Sequence, residues 1–518
     1  MTELTVMLLV AAVGFAVSSW LRIPVIPVLL LLGLGMGTVH PVEDSAIHKS
    51  ILQLGLAFLL FVAGLELNPR RVGGQQTAAL WVGFGQFIVV GVLGYGLSRF
   101  CGFDRIASLY IAFALSASST LVVIRLLKAR ALTFEPLGRL VTGVLLIQDG
   151  MIILIIIVLG SLPAGGNSVL AGLLSGFALT AFALVCQRWL MPWFILRLKL
   201  DEEAILLVIL ASLFAFVGLT RLLDLPIFVG AFMSGFALSR FPINGIVRGP
   251  LNSTADFFLA IFFTALGAMV SIPSVLILWK GIALVMLVLI VTPPLVTILA
   301  EKSGLSSRSA IESGLLLAQT SEFSLVLGII GVNSGHITSE QFSMIALITV
   351  FTMILTPFLA TDTVTRRLLH IHPLRRRIVP QLDLANHALI LGFGTGGMWV
   401  IKPLRAAGYE VTVVDDDPAV INELIQRKIN CIHGDGSDEK VLAKAGALQA
   451  KLIIASMRRL SEAETVLRYA RQAPVIVRVF EEEHAHHIRR LGGIPILNSL
   501  ATADAFMEWF DKKRAQLS

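Results

Sequence analysis

The chain has 518 residues, of which 56% are hydrophobic and only 14% charged, with a mean hydropathy of +0.84. A soluble chain is about 25% charged, so this composition cannot cover a wholly water-facing surface and excludes a purely soluble protein. The net charge of +7 could suit a nucleic-acid partner, but its placement along the chain argues against one.

Apolar runs separated by short polar loops fill residues 1–370. A basic linker follows over 371–385, and residues 386–518 have the texture of a soluble α/β domain. A spanning helix needs about 20 mostly apolar residues. Thirteen stretches qualify, near 4–20, 24–38, 47–66, 78–100, 106–127, 137–162, 168–190, 203–220, 226–239, 252–272, 275–300, 307–333 and 341–362. The start, Met1-Thr2-Glu3, lacks a basic segment, and no small-residue cleavage site follows the first run. That predicts a retained helix and not a signal peptide. Pro24, Pro27 and Pro226 lie near the starts of the short second and ninth stretches, where a missing N–H costs little.

Loops after odd-numbered stretches carry Arg22, Arg70, Arg71, Lys128, Arg130, Arg139, Arg197, Lys199, Arg240, Arg248, Lys302, Arg308 and the run Arg375 to Arg377. Loops after even-numbered stretches carry little beyond Lys49, Arg99, Arg105 and Arg221. The positive-inside rule then puts the N-terminus outside and the soluble tail in the cytoplasm. The basic residues are a topology signal, not the clustered basic face of a nucleic-acid binder. Cys101, Cys186 and Cys431 show no CxxC spacing and read as free thiols.

An intramembrane charge is costly, so each one calls for a reason. Asp149 follows Gln148 and precedes nine apolar residues, Met151 to Leu159, with no basic neighbour in its stretch. Burial disfavours the charged form of a carboxyl group. A group that titrates near physiological pH can hold either a proton or a cation, which an exchanger requires. Glu322 lies in Gln319-Thr320-Ser321-Glu322, and is either an ion ligand or the counter-charge of a broken helix. Glu66, near a helix end, can snorkel to water and suits a structural ion pair. Two polar clusters interrupt their stretches midway: Ser116-Ala117-Ser118-Ser119-Thr120 in the fifth and Gln319 to Glu322 in the twelfth. Clusters seven stretches apart predict two inverted repeats with discontinuous helices at corresponding positions and ions at the unwound centres.

In the tail, His387 to Leu391 reads as a buried strand, followed by Gly392-Phe393-Gly394-Thr395-Gly396-Gly397, a helix through Ala407 and a second strand from Val411 to Val414. Gly392, Gly394 and Gly397 match a dinucleotide fingerprint: a tight turn, close approach of a diphosphate and tight helix packing. Asp415, 18 positions past Gly397, falls where an acid can take ribose hydroxyls, with Asp416 beside it. Two further strands, Leu452 to Ala455 and Val475 to Val479, extend the sheet, and the turn Gly434-Asp435-Gly436-Ser437 opens another helix. A last helix is predicted over Thr502 to Lys512. His484, His486 and His487 stand beside Glu481 to Glu483 and read as a solvated helix face and not a metal site. No acid, base or nucleophile near the fingerprint suggests an enzyme.

Together these segments resemble Kef-type potassium:proton antiporters. The likeness rests on Gln148-Asp149, Ser118-Ser119-Thr120, Leu317 to Phe323, Leu59 to Leu67 and Phe262 to Gly267. The tail resembles the TrkA-N-like domain that regulates potassium conductance, in which Asp435 and Gly436 would lie near the adenine. The resemblance implies an α-helical membrane protein of about thirteen spans with inverted repeats and two crossed discontinuous helices. A C-terminal Rossmann-like domain would bind AMP, ATP or NAD(H). It also implies a homodimer in the bacterial inner membrane, admits an ancillary regulatory subunit, and makes Asp149 the shared site for H+ and K+ or Na+. Gln148 cannot titrate, so the single carboxylate Asp149 predicts electroneutral exchange. Gln148, Ser118, Ser119, Thr120, Gln319 and Glu322 would surround it. Glutathione-gated members have Arg and Gln where this chain has Thr395 and Met398, so glutathione gating is not expected. The alternatives are a nucleotide-gated potassium channel and a non-transporting membrane sensor. Gly94-Tyr95-Gly96 points weakly to the first, but Val92-Leu93 precedes it in place of a filter's Thr-Val.

Overall fold

The computed structural model describes residues 2–21, 23–39, 46–67, 75–130, 132, 135–161, 166–197, 201–240, 243–371, 387–393, 398–457 and 459–497. It divides into two compact units: Met1–Ala300 with Ala310–Arg366, and Glu301–Ser309 with Arg367–Ser518.

The first unit is helical. In order come α1 (Thr2–Leu21), α2 (Val25–Val39), α3 (Ala46–Glu66), α4 (Gln76–Phe100), α5 (Arg105–Ser116), α6 (Thr120–Ala129), α7 (Pro136–Ser161) and α8 (Gly166–Val185), which runs on into π-helical turns at Cys186–Leu190 and Trp193–Arg197. Then follow α9 (Glu202–Leu222), α10 (Ile227–Ala237), α11 (Ile243–Met269), α12 (Val275–Lys302), α13 (Ser307–Leu317), α14 (Phe323–Asn333), α15 (Ser339–Leu359) and α16 (Asp362–Ile371). Among the described residues, seven helices, with α5 and α6 counted together, are long and apolar enough to cross a bilayer, and six more are shorter and apolar. Side-chain caps mark several starts. Asp104 accepts from the Ile106 and Ala107 N–H groups at α5, and Asp201 from Ala204 at α9. Thr338 and Gln341 form a capping box at α15.

Two helix sets emerge from the packing. In one, α3 packs on α10, α2 on α11, and α1 and α9 join them. In the other, α4, α5, α7, α14 and α15 pack around the helix breaks. The α3–α10 crossing is backbone to backbone. A Cβ on Gly64 would stand 2.0 Å from the Phe232 carbonyl oxygen, and one on Gly235 would stand 1.9 Å from that of Phe61. Only glycine permits so close an approach of two helices. Phe58, Phe61, Phe87, Tyr110, Phe262, Phe263 and Phe323 fill the interior.

Two features depart from the sequence reading. The eleventh helix starts at Ile243, ahead of the expected 252, because its first turns, Ile243-Asn244-Gly245, are too polar to count as a span. An extra helix, α16, follows the last span. Its Asp362, Arg366 and Arg367 break up the apolar run that a span search requires.

The second unit is a six-stranded parallel sheet in the order β3-β2-β1-β4-β5-β6. The strands are β1 (Ala388–Leu391), β2 (Val411–Asp415), β3 (Asn430–His433), β4 (Leu452–Ala455), β5 (Val475–Val479) and β6 (Ile494–Leu497). Helices α17 (Met398–Ala406), α18 (Pro418–Gln426), α19 (Glu439–Lys444), α20 (Leu460–Tyr469) and α21 (Glu482–Arg490) connect them. Every residue of β1 and β2 is buried, as a sheet covered on both faces demands. β3 and β6 were not expected. β3 carries Asn430 and His433 at an edge, and β6 contains Pro495 and alternates between exposed and half-buried. The helix expected over Thr502 to Lys512 lies outside the described residues.

Candidate functional site

The site of the first unit begins with backbone chemistry. α5 stops at Ser116 because Ala117 turns extended (φ −102°, ψ 145°), and α6 restarts after Ser119 (φ −71°, ψ 119°), whose hydroxyl accepts from Val122 N–H. α13 stops at Leu317 and α14 restarts at Phe323, with Glu322 at its N-cap. A helix end leaves carbonyls without partners, and inside a bilayer only protein groups can satisfy them. Here the two breaks supply each other. Ser118 Oγ donates to the Leu317 carbonyl at 2.7 Å, and Ser324 Oγ donates to the Ala114 carbonyl. Each hydroxyl from one broken span thus caps the first half-helix of the other.

Three further helices brace the crossing. Gln86 of α4 is buried, and its Nε2 donates to Ser118 Oγ at 3.0 Å and lies 3.5 Å from the Leu317 carbonyl. On α15, Thr352 Oγ1 accepts from Thr320 N–H at 3.2 Å, and Thr349 Oγ1 accepts from the Thr320 hydroxyl at 3.2 Å. On α7, Gln148 Oε1 accepts from Ser118 N–H at 3.0 Å. Because a peptide N–H can only donate, that bond fixes which end of the Gln148 amide faces the break.

Asp149, 2% exposed, is the next residue on α7. Its Oδ2 accepts from Thr120 Oγ1 at 2.9 Å. Its Oδ1 is buried with no hydrogen-bond partner among the described residues. Glu322 and Glu66 are acidic side chains within electrostatic reach of it. Glu322, 1% exposed, heads α14, and both its carboxyl oxygens are buried with no hydrogen-bond partner among the described residues. Glu322 therefore stands at the positive N-terminal end of α14, where an anion is favoured.

Of the residues singled out by sequence, Asp149, Gln148, Ser118, Ser119, Thr120 and Glu322 come together. Gln319 stays local: its Nε2 lies 3.4 Å from the Leu316 carbonyl, and its Oε1 is buried without a hydrogen bond among the described residues. Glu66 ends α3 and is half-buried. Sequence reasoning missed Gln86, Ser324, Thr349 and Thr352. Gln86 left a signal, as a lone amide within the apolar stretch Leu80 to Val90.

In the second unit, Gly392 directly follows β1 with φ +72°, and a Cβ there would lie 2.8 Å from Met457 Cγ. Phe393 beside it is buried. Gly394, Thr395, Gly396 and Gly397 lie outside the described residues. Asp415 ends β2, and its Oδ1 accepts from the Asp417 N–H at 2.8 Å. The Asp416 carbonyl lies 3.2 Å from His433 Nε2. Asp435 Oδ1 accepts from the Ser437 peptide at 2.8 Å and the Ser437 hydroxyl at 2.7 Å. A Cβ on Gly436 would meet Leu391 Cβ at 3.2 Å, so this turn crosses the end of β1. All these residues follow the carboxyl ends of β1, β2 and β3, beside the point where the strand order reverses between β1 and β4. Ligands of open α/β sheets bind at that place. A tight glycine turn and two acids at such an edge fit an adenine nucleotide. On α21, His487 pairs with Glu464 at 2.8 Å and His484 with Glu481 at 3.6 Å, so these two imidazoles face separate carboxylates.

The comparisons with known proteins agree with this architecture. Residues 6–361 match the family described as sodium/hydrogen exchanger, transmembrane, and residues 388–498 match the TrkA-N domain. YbaL of Escherichia coli (strain K12) is 24% identical over 502 residues, covering 90% of this chain and 88% of YbaL. The glutathione-regulated potassium-efflux system protein KefC of Enterobacter sp. (strain 638) is 25% identical over 463 residues, covering 87% of this chain and 74% of KefC. Among solved structures, the sodium proton antiporter MjNhaP1 from Methanocaldococcus jannaschii superposes with a TM-score of 0.54 at 15% identity, covering 71% of this chain and 97% of that one. The helical unit thus has the sodium/proton antiporter-like fold, followed by a Rossmann-like TrkA-N domain.

Proposed function

The chain belongs to the sodium/hydrogen exchanger family, and on that premise we propose that it exchanges a monovalent cation, K+ before Na+, for H+ under control of a nucleotide. The observation that carries the reading is the state of Asp149: one oxygen held by Thr120, the other buried without a hydrogen-bond partner among the described residues. Such an oxygen takes a proton or ligates a cation, and the two exclude each other. Asp149 is assigned as the group that changes occupancy, with Glu322 at the head of α14 as a further ligand of the site. Gln148 already accepts from Ser118 N–H through Oε1. It therefore acts by orienting the break, with Ser118, Ser119 and Thr120 lining the site. One exchanging carboxylate supports electroneutral, one-for-one transport.

K+ is placed first because the relatives include a potassium-efflux protein. The thirteen apolar stretches between residues 4 and 362 cross the inner membrane, the broken ones as pairs of half-helices, with the N-terminus outside and the soluble unit in the cytoplasm, and two copies assemble as a homodimer. Gly392, Phe393, Asp415, Asp416, Asp435 and Gly436, with Gly394 to Gly397, would hold AMP, ATP or NAD(H). The nucleotide would supply no chemistry and act only by its presence. Thr395 and Met398 replace the residues expected of glutathione gating, so glutathione leaves transport unchanged.

The test is exchange by the purified protein in liposomes under a pH gradient, with K+, Na+, Rb+ and Li+ and with AMP, ATP or NADH added. Asp149→Asn is expected to abolish exchange while the protein stays folded. Full activity in that variant refutes the site, and strong dependence on membrane potential refutes the one-for-one ratio.

A further inference from the structure

Gln86 belongs to neither broken span, yet it touches both. Its Nε2 lies 3.0 Å from Ser118 Oγ and 3.5 Å from the Leu317 carbonyl, one group on each break. The Ser118 hydroxyl has a single proton, and that proton goes to Leu317 at 2.7 Å. Because the Gln86 amide donates to Ser118 Oγ, that oxygen acts as acceptor toward α4 and keeps its own proton for Leu317. The Ser118 peptide N–H is held by Gln148 Oε1, and Gln148 is covalently followed by Asp149. One continuous chain of hydrogen bonds therefore runs from α4 through the first break to both the second break and α7. Gln86 is 2% exposed, so no bulk water can take over its role.

We propose that Gln86 is a positioning residue for exchange. Its amide donor orients the Ser118 hydroxyl, locks the two helix breaks together and so sets the Asp149 carboxylate in its pocket. A donor at this place is essential, and a side chain that only accepts would pull the Ser118 proton away from Leu317. The reading deepens the exchange proposed above and rests on it for its effect on transport, whereas its effect on the breaks stands alone.

The test uses full-length Gln86→Glu and Gln86→Leu beside wild type and Asp149→Asn. In its protonated form a Glu at position 86 keeps an O–H that donates to Ser118. Once ionised it only accepts. The buried acids on the elements around it, Asp149 on α7 and Glu322 at the head of α14, titrate in the wild type too, so differences from wild type are what is read. Gln86→Glu is expected to match wild type in thermal unfolding in detergent near pH 4, below the ordinary glutamate value of about 4.3, and to fall below it as pH rises to 8.5. In liposomes its exchange rate should follow the same course, and the wild type should show no such loss. Gln86→Leu, which cannot donate at any pH, should raise the half-saturating cation concentration about five- to tenfold, the worth of one buried hydrogen bond. A Gln86→Glu unfolding profile that overlays wild type at every pH overturns the proposal, whether or not Gln86→Leu folds. A wild type that melts normally but transports nothing overturns the exchange reading and leaves the unfolding comparison to decide on Gln86.

Discussion

Replacing Thr120 by Val removes one hydroxyl and keeps the shape of a side chain that is 4% exposed. The hydroxyl donates to Asp149 Oδ2 at 2.9 Å. A buried hydrogen bond is worth about 0.5–1.5 kcal/mol between neutral groups and about 1.5–3 kcal/mol when one partner is charged. The Thr120 hydroxyl therefore favours the ionised carboxylate over the protonated one by about 1–1.5 kcal/mol. On the proposed exchange mechanism, the ionised form binds the cation and the protonated form excludes it. Thr120→Val should thus raise the cation concentration for half-maximal exchange about five- to tenfold at neutral pH, since each 1.4 kcal/mol is a factor of ten. The maximal rate should be much less affected, because Oδ1, the oxygen without a partner, is untouched. The assay is recovery of a pH-sensitive dye in liposomes over a range of K+ concentrations. Raising the pH relieves proton competition and should bring the variant back toward wild type, and Thr120→Ser should behave as wild type. A fall in maximal rate with an unchanged half-saturating concentration would refute the reasoning, since it would mean that Thr120 serves the fold and not the carboxylate.

Gly235→Ala places a Cβ 1.9 Å from the Phe61 carbonyl oxygen and 2.8 Å from the Leu65 nitrogen. Neither backbone atom can rotate away, so α3 and α10 must separate, at about 1–3 kcal/mol. The thermal midpoint should drop, whereas Gly218→Ala, with open space at its Cβ, should leave it unchanged or slightly higher. In the second unit His387 is fully buried, and its Nε2 sits 2.8 Å from the Ala445 carbonyl. Burial holds this imidazole below the usual histidine range, against a smaller opposing effect of the Ala445 carbonyl and Glu410. The unfolded chain then binds the proton more readily than the folded one. Stability is complete above about pH 6.5, the ordinary histidine value, and is lost as the pH falls below it. Urea melts of a fragment covering residues 386–518 at pH 7.5 and 5.5 should show this loss, and His387→Gln should flatten it.

Much of the protein is legible in its residues taken in order. Each apolar run of suitable length became a helix, because a bilayer leaves a polypeptide almost no other way to satisfy its backbone. Asp149 and Glu322 stood out because a carboxyl group among apolar residues needs a reason. The clusters Ser116 to Thr120 and Gln319 to Glu322 coincide with the two breaks for the same reason. The strands β1, β2, β4 and β5 announced themselves as short apolar runs, and Gly392 as the glycine of a left-handed turn. β3 and β6, edge strands with polar or proline residues, did not.

What the order of residues could not determine is which atom meets which. Ser118 caps Leu317 across 199 positions, and Gln86 reaches the same carbonyl across 231. No local pattern encodes such pairings. Gln148 could have offered its oxygen to a cation, but the fold turns that oxygen to the Ser118 peptide. Composition and periodicity settle where the chain is buried, because burial depends on one residue at a time. The partners of a buried polar atom depend on the whole packing, since they must be found among helices that meet only after the chain has folded.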